Sequence, residues 1–342
     1  MSDAGGSKPD PTEPPPAAAI PTVATQKRPR PPPPAPRVSV VIPTFRRQRS
    51  LRRALVSVEA QRGISPAEFE VVVIDNCPAG TAKTTFDQVS ARSRLRCSYA
   101  CEPTPGVSAA RNRGVALARG ELIAFLDDDE DAEPDWLAAL VQAQRRSGCD
   151  AVFGAVLGKF DGPPRPDAAL HEEQLSRQFP EPAGPVPSRR IAALGSGNSL
   201  FRRSCLQGPE PFDPALGLCG GEDSALIHKL TVEGCSLAWC PEARVKEFFT
   251  RERLTMRYLL KRRFSSGQTR TSLCTSNRPE LAKWMMVGLV QLVLGATLAV
   301  AAVPIHSRTA RQGLCLASGG LGKVLWMAPF RALHSPNRKK QP

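Results

Sequence analysis

Three nearly unbroken apolar runs stand out in the first half of the chain: Val38-Ser39-Val40-Val41-Ile42, Val71-Val72-Val73-Ile74 and Leu122-Ile123-Ala124-Phe125-Leu126. Their length is that of strands, and continuity rather than alternation predicts strands covered on both faces. The first is closed by Pro43, the second ends in Asp75, and the third ends in three carboxylates. Between them the apolar spacing lengthens to that of a helix. Ser50 suits an N-cap, with Leu51, Ala54, Leu55 and Val58 following on one face. A weaker helix over 82–94, a strand near 95–101 and a helix over 107–118 precede the third run. Pro134, expected in a first helical turn, opens an amphipathic helix carrying Trp136, Leu137, Leu140 and Val141. Farther on, the pattern predicts a strand at 151–157, a Pro-rich loop at 161–167, and helices at 222–233 and 253–266.

Strands alternating with helices in this way predict an α/β domain built on a mainly parallel open sheet, with helices on both faces. Ligands of such sheets bind beyond the C-terminal ends of the strands. Thr44, Asp75 and Asp127–Asp129 stand at those ends.

Two segments depart from the pattern. Residues 1–37 are rich in Pro, Ala, Ser and Thr and include Pro31–Pro34, so they are expected to form a disordered or polyproline-like tether. From Met285 to Val303 there are 19 residues without a charge. As a helix they span about 28 Å, close to the apolar thickness of a bilayer. A weaker apolar stretch follows over 313–330, interrupted by Gly319, Gly320, Gly322 and Lys323. The domain plan is thus a tail over 1–37, an α/β domain over 38–270, a membrane-associated segment over 280–333 and a basic tail over 334–342. The α/β domain divides into a nucleotide-binding half, 38–130, and an acceptor half, 131–270.

Composition changes this picture in one respect. The net charge of +14 invites a nucleic-acid partner, but the charge is not spread over the domain. From Lys246 onward there are 17 Lys and Arg against 3 Asp and Glu, whereas residues 1–37 hold 5 against 3. The basicity surrounds the apolar segment, which favours an anionic membrane surface and argues against nucleic acid. Basic flanks on both sides suit a hairpin or re-entrant pair with its ends in the cytoplasm. No apolar leader opens the chain, and the ten cysteines form no CxxC or Cys/His zinc spacing, as expected of reduced thiols.

The chemistry concentrates at Phe125-Leu126-Asp127-Asp128-Asp129-Glu130. Carboxylates crowded at a buried strand's end repel one another unless a cation sits among them. Oxygen ligands of this kind suit Mg2+ or Mn2+, which would neutralise a diphosphate leaving group. Gly106 before a helix start permits close backbone approach to an anion, and Arg111 is a candidate partner for a diphosphate or for a structural ion pair. Gly220-Gly221-Glu222-Asp223 opens a later helix; its acids suit either a helix cap or the base that an acceptor hydroxyl needs. Gly195–Ser199 offers Gly197 and Asn198 as sugar contacts, or simply a turn.

In this order the segments resemble the family 2 glycosyltransferases of the GT-A, Rossmann-like fold, over about two thirds of the chain. The resemblance rests on VSVVIPTFRR (Val38–Arg47), VVVIDN (Val71–Asn76), PGVSAARNRG (Pro105–Gly114), FLDDD (Phe125–Asp129), GED (Gly221–Asp223) and the Arg-rich stretch Arg253–Gln268. It implies an inverting single displacement from a nucleotide-sugar, with a UDP-sugar favoured. By position, Pro43, Thr44 and Asp75 would meet the nucleoside, and Asp127 the ribose. Asp129, with Asp127 beside it, would hold the metal. Asp223 would be the general base, with Glu222 and Gly221 on the acceptor side. Arg262 and Arg263 would contact the diphosphate, a closing loop or the membrane. Asn76 departs from the second Asp common in the family, as Cys77-Pro78 departs from a Gly-Ser pair. That variant is frequent among enzymes building exopolysaccharide units on lipid carriers, which implies a succinoglycan-type enzyme at the inner membrane, facing the cytoplasm, with a lipid-linked or polysaccharide acceptor. The other readings weighed are a nucleotidyltransferase of related fold, which would release pyrophosphate, and a non-catalytic membrane scaffold.

Overall fold

A computed structural model describes residues 35–163, 165, 168–218, 220–275, 277–303 and 307–327. Of the expected tails over 1–37 and 334–342, residues 1–34 and 334–342 lie outside the described residues. The order is β1 (Val38–Thr44), α1 (Gln48–Glu59), β2 (Phe69–Asp75), α2 (Lys83–Ser90), β3 (Arg96–Cys101), α3 (Val107–Leu117), β4 (Leu122–Phe125), β5 (Glu130–Ala132) and α4 (Trp136–Ser147). There follow β6 (Ala151–Phe160), α5 (Ala168–Leu175), β7 (Gly184–Pro185), β8 (Ser199–Arg202), α6 (Glu222–Val232), β9 (Leu237–Phe249), α7 (Met256–Ser272), α8 (Arg278–Ala302) and α9 (Ser307–Val324).

The strands form one sheet in the order β3-β2-β1-β4-β8-β6-β9-β5, with β7 against β9. The pairs β3-β2, β2-β1 and β1-β4 are parallel; β8 turns antiparallel to both β4 and β6. Alternate residues of the apolar runs bury on opposite faces. Val40, Ile42, Val71 and Val73 pack with Leu51 and Leu55 of α1 and Leu137 of α4. Val41, Val72 and Ile74 pack with Ala110 of α3 and Leu226 of α6. Two helical layers thus enclose the sheet, which is why its strands show no polar alternation.

Several boundaries differ from expectation. α1 begins at Gln48, with Arg47 rather than Ser50 in the cap position and no side-chain cap bond. Arg46 takes a positive φ of 56°, which turns the chain into the helix three residues early. Pro43 does not close β1, which runs on through Thr44 in register with Asp75. Pro134 precedes the α4 cap residue Asp135 instead of standing in the helix. β6 extends to Phe160, and α7 runs from Met256 to Ser272, later than the helix expected at 253–266.

β9 was not expected. Its 13 residues pair with β6 on both sides of an irregularity at Pro241–Ala243 and hold β5 on the other side, and both contacts are distant in sequence. At the C-terminus, α8 is long and apolar enough to cross a membrane, by length and composition. It packs on α9 through Gly288 against Gly320 and Gly295 against Gly313, an antiparallel pairing at backbone contact. Met286, Leu289, Val290, Val293 and Leu294 on its other side are exposed.

Candidate functional site

The site lies at the C-terminal ends of β1, β2 and β4. Asp127, Asp128 and Asp129 leave β4 in the tight connection to β5, where each carboxylate finds a donor. Asp128 Oδ2 accepts from the Thr44 hydroxyl at 2.8 Å, and its Oδ1 accepts from Arg47 Nη1 at 2.9 Å. Asp129 Oδ2 accepts from Arg47 Nη1 at 2.8 Å and from Arg253 Nη2 at 3.2 Å. Asp127 Oδ1 accepts from Arg111 Nη2 at 2.9 Å and keeps a side chain 35% exposed.

Arg111 is the joint of the arrangement. Its second terminal nitrogen, Nη1, donates to Glu222 Oε1 at 2.6 Å, so one buried guanidinium bridges the end of β4 and the start of α6. The side chain sequence reading offered to a diphosphate therefore joins two of the protein's own carboxylates. Glu222 is pushed up to about 7, by burial first and by adjacent Asp223 next, against the pull of Arg111. Asp223 Oδ1 accepts from the Ser224 amide at 2.7 Å. Gly221, in the left-handed region at φ 99°, turns the chain so that both acids enter the first turn of α6.

The loop before β8 threads between the two ends. A Cβ at position 197 would lie 2.6 Å from Asp127 Oδ2, and one at 195 would lie 3.0 Å from Asp223 Oδ2. Only glycine allows Asp127 and Asp223 to flank this loop so closely. Asn198 does not match the expectation of a sugar contact. It is 1% exposed, accepts from Trp136 Nε1 and donates to the carbonyls of Ala155 and Ala243, which leaves no polar atom for a ligand. Asp75 is likewise buried, with Oδ1 taken by the Cys77 amide and Oδ2 by the Ala82 amide and Tyr99 hydroxyl. Pro43 is buried beside it in β1. The N-terminus of α3 meets protein: the Val107 amide donates to the Gly217 carbonyl at 3.2 Å.

Asn76 explains its own departure from the family pattern. Its Nδ2 donates to the Glu102 and Thr104 carbonyls at 2.8 and 2.7 Å, while Oδ1 accepts from the Gly106 amide at 2.9 Å. It pins the loop that leads into α3 and Arg111. Arg47, Arg253 and Arg177, none of which carried a role in the sequence reading, complete the charge pattern around the acids. Arg177 draws down Glu130, whose pKa burial and Asp127 hold well above the carboxylate range. Arg262 and Arg263 lie along a cavity of about 940 Å³ that Gly221, Glu222 and Asp223 also line.

The fit to a divalent cation follows from these contacts. Burial first, and Glu247 next, push Asp129 up to about 7 against the pull of Arg47 and Arg253, so its ionised form would gain from a further cation. Among the described residues no three His, Cys, Asp or Glu side chains converge as a complete metal site. Mg2+ and Mn2+ sites that use one or two carboxylates plus phosphate oxygens need no such convergence, and Asp127 and Asp129 suit that arrangement.

A mainly parallel Rossmann-like sheet with acids at the ends of its strands is the architecture of the GT-A fold. The sequence model for glycosyl transferase family 2 matches residues 39–207. The chain is 30% identical over 281 residues to the succinoglycan biosynthesis protein ExoM of Rhizobium meliloti, covering 81% of this chain and 88% of that protein. It is 29% identical over 128 residues to the GalNAc(5)-diNAcBac-PP-undecaprenol beta-1,3-glucosyltransferase of Campylobacter jejuni, covering 37% and 40%. In structure it is similar to the mannosyltransferase PcManGT of Pyrobaculum calidifontis, solved with GDP-Man and Mn2+, at a TM-score of 0.56 and 18% identity, covering 85% and 88%. The chain belongs to glycosyltransferase family 2.

Proposed function

We propose that this chain is an inverting, metal-dependent glycosyltransferase. It moves a sugar from a nucleotide-sugar, a UDP-sugar by preference, to a hydroxyl of a lipid-linked or polysaccharide acceptor in cell-surface polysaccharide synthesis. The observation that carries this reading is the Arg111 bridge, which ties a donor-side acid, Asp127, to an acceptor-side acid, Glu222, beside Asp223. The names of the ExoM and Campylobacter relatives support the polysaccharide setting and the lipid-linked acceptor.

In this reading Pro43, Thr44 and Asp75 border the nucleoside, and Asp127 takes the ribose. Asp129 and Asp127 would hold Mg2+ or Mn2+, which would supply the positive charge that makes the diphosphate a better leaving group. Asp223 takes the proton from the acceptor hydroxyl as its oxygen bonds the anomeric carbon. The bond from that carbon to the diphosphate oxygen breaks with its electron pair, the nucleoside diphosphate leaves, and configuration inverts. Glu222, neutralised by Arg111, positions Asp223 and the acceptor. The apolar length of α8 and the basic residues around it support a site on the cytoplasmic side of the inner membrane.

The test is thermal stability of the detergent-solubilised chain against UDP, GDP and ADP and their sugars, with and without Mn2+. A ligand that binds only the native state raises the midpoint by mass action. The expected result is a metal-dependent shift with the UDP series that Asp129→Asn abolishes. No shift with any nucleotide, in a folded sample, overturns the reading.

A further inference from the structure

The cavity beside Asp223 does not end at the catalytic acids. It continues between α7, α8 and α9, past Arg262 and Arg263, to Arg270, Trp284, Gln291 and Lys323. Two helix faces build this far end. On α7, Arg263, Gly267 and Arg270 recur at helical spacing; on α8, Trp284, Gly288 and Gln291 do the same. The glycine at the centre of each face lets α9 in. A Cβ at 267 would lie 3.0 Å from the Lys323 amide nitrogen, and a Cβ at 288 would lie 2.7 Å from Lys323 Cβ. Lys323 is thereby set at the junction of the three helices.

The charges gathered there are held by neutral partners. Lys323 Nζ donates to Gln291 Oε1 at 2.8 Å, Arg263 to the carbonyl and side chain of Gln174, and Arg270 stacks on the Trp284 ring at 4.2 Å. Among the described residues none of the three forms a salt bridge. Loss of hydration lowers Arg270 below its ordinary value, against the weaker opposing pull of Cys274 and Glu280. Loss of hydration and adjacent Arg262 lower Arg263 as well. With adjacent Arg262, the cations Arg263, Arg270 and Lys323 outnumber the carboxylates that act on them, Glu280 and Glu173, and this net positive charge suits a diphosphate diester. Depth agrees. Trp284 directly precedes the uncharged stretch of α8, the level at which tryptophan marks a membrane interface and lipid phosphates sit.

We propose that Arg263, Arg270 and Lys323 form the receiving site for the diphosphate of a lipid-linked acceptor. Its saccharide end extends along the cavity to Asp223, and its hydrocarbon tail leaves along the exposed apolar side of α8. This rests on the reading of Asp223 as the acceptor base, and it narrows the acceptor to a lipid diphosphate. A water-soluble polysaccharide would leave the cationic end unused.

The test is calorimetric titration of the full chain in neutral detergent micelles with geranylgeranyl diphosphate, geranylgeraniol and inorganic pyrophosphate, followed by competition from phosphatidylglycerol. The expected result is binding of the prenyl diphosphate and none of the alcohol, with pyrophosphate competing weakly for the same site. Lys323→Gln and Arg270→Gln should each weaken the prenyl diphosphate about tenfold or more, and Lys323→Arg should restore most of the loss. Equal binding of the alcohol, unchanged binding in both Gln variants, or full displacement by phosphatidylglycerol would overturn the proposal. UDP titration on the same samples reads the donor site separately. A loss of UDP binding thus counts against the transferase reading, and a charge-independent prenyl response counts against the acceptor site.

Discussion

Asn76→Asp is the near-isosteric change that best tests the geometry of the donor side, because it restores the residue common in the family. In this chain Asn76 is 8% exposed, and its Nδ2 donates at 2.8 and 2.7 Å to two carbonyls. A carboxylate has no donor, so both contacts become oxygen against oxygen, while the Gly106 amide keeps its acceptor. Two lost bonds at about 1 kcal/mol each, with part of the desolvation penalty of two stranded carbonyls, give a loss of about 2–4 kcal/mol. For a domain of this size that is about 5–15 °C in melting temperature. The new acid can recover one bond by holding a proton, so its folded pKa must rise above the unfolded value of about 3.9. The native state then binds more protons than the unfolded state through that window, and stability falls as pH rises across it. Differential scanning fluorimetry of wild type and Asn76→Asp at pH 5 and pH 8 should therefore show the larger deficit at pH 8, with Asn76→Ala destabilised but flat in pH. A variant that melts with wild type at pH 8, or a deficit independent of pH, refutes the assignment of Asn76 as the pin of the 102–106 loop.

Arg111→Met removes the counter-charge of Glu222 and Asp127 together and should cost about 3–5 kcal/mol in denaturant unfolding. Adding Glu222→Gln should recover more than 0.5 kcal/mol of it, whereas strict additivity would mean the bridge carries no coupling. Asp223→Asn should lower kcat by about 10²–10⁴-fold in a transfer assay with nucleotide binding and melting temperature unchanged; a loss confined to KM would remove the residue from the base role. Gly197→Ala sets a methyl 2.6 Å from Asp127 Oδ2 and should raise the donor KM while costing about 1–3 kcal/mol of stability. Wild-type donor binding in that variant would show that Asp127 has room to move.

What the sequence disclosed and what it withheld divide along a physical line. β1, β2 and β4 were legible because they are enclosed on both faces, and enclosure leaves a local mark, an apolar run with nothing polar to break it. The acids after β4 and at the start of α6 were legible for the converse reason: carboxylates in series at a strand or helix end are rare unless something opposes them. The opposing side left no such mark. Arg253 reaches Asp129 across 124 positions, and Arg111 reaches Glu222 across 111, so neither pairing has a sequence period to betray it. β9 was hidden similarly, since Pro241 and Glu242 interrupt its apolar pattern and its partners come from distant strands. Asn198 shows the limit most sharply. A polar side chain between glycine and serine reads the same whether it faces a ligand or the core, and here the choice was made by Trp136, Ala155 and Ala243, from three other elements of the chain. Asn76 went the other way. Its departure from the common Asp was visible in the sequence, and its reason became visible only with two carbonyls aimed at the amide nitrogen. An acid needs donors around it and an amide can serve carbonyls, so the identity of that one residue reports the direction of the loop that faces it.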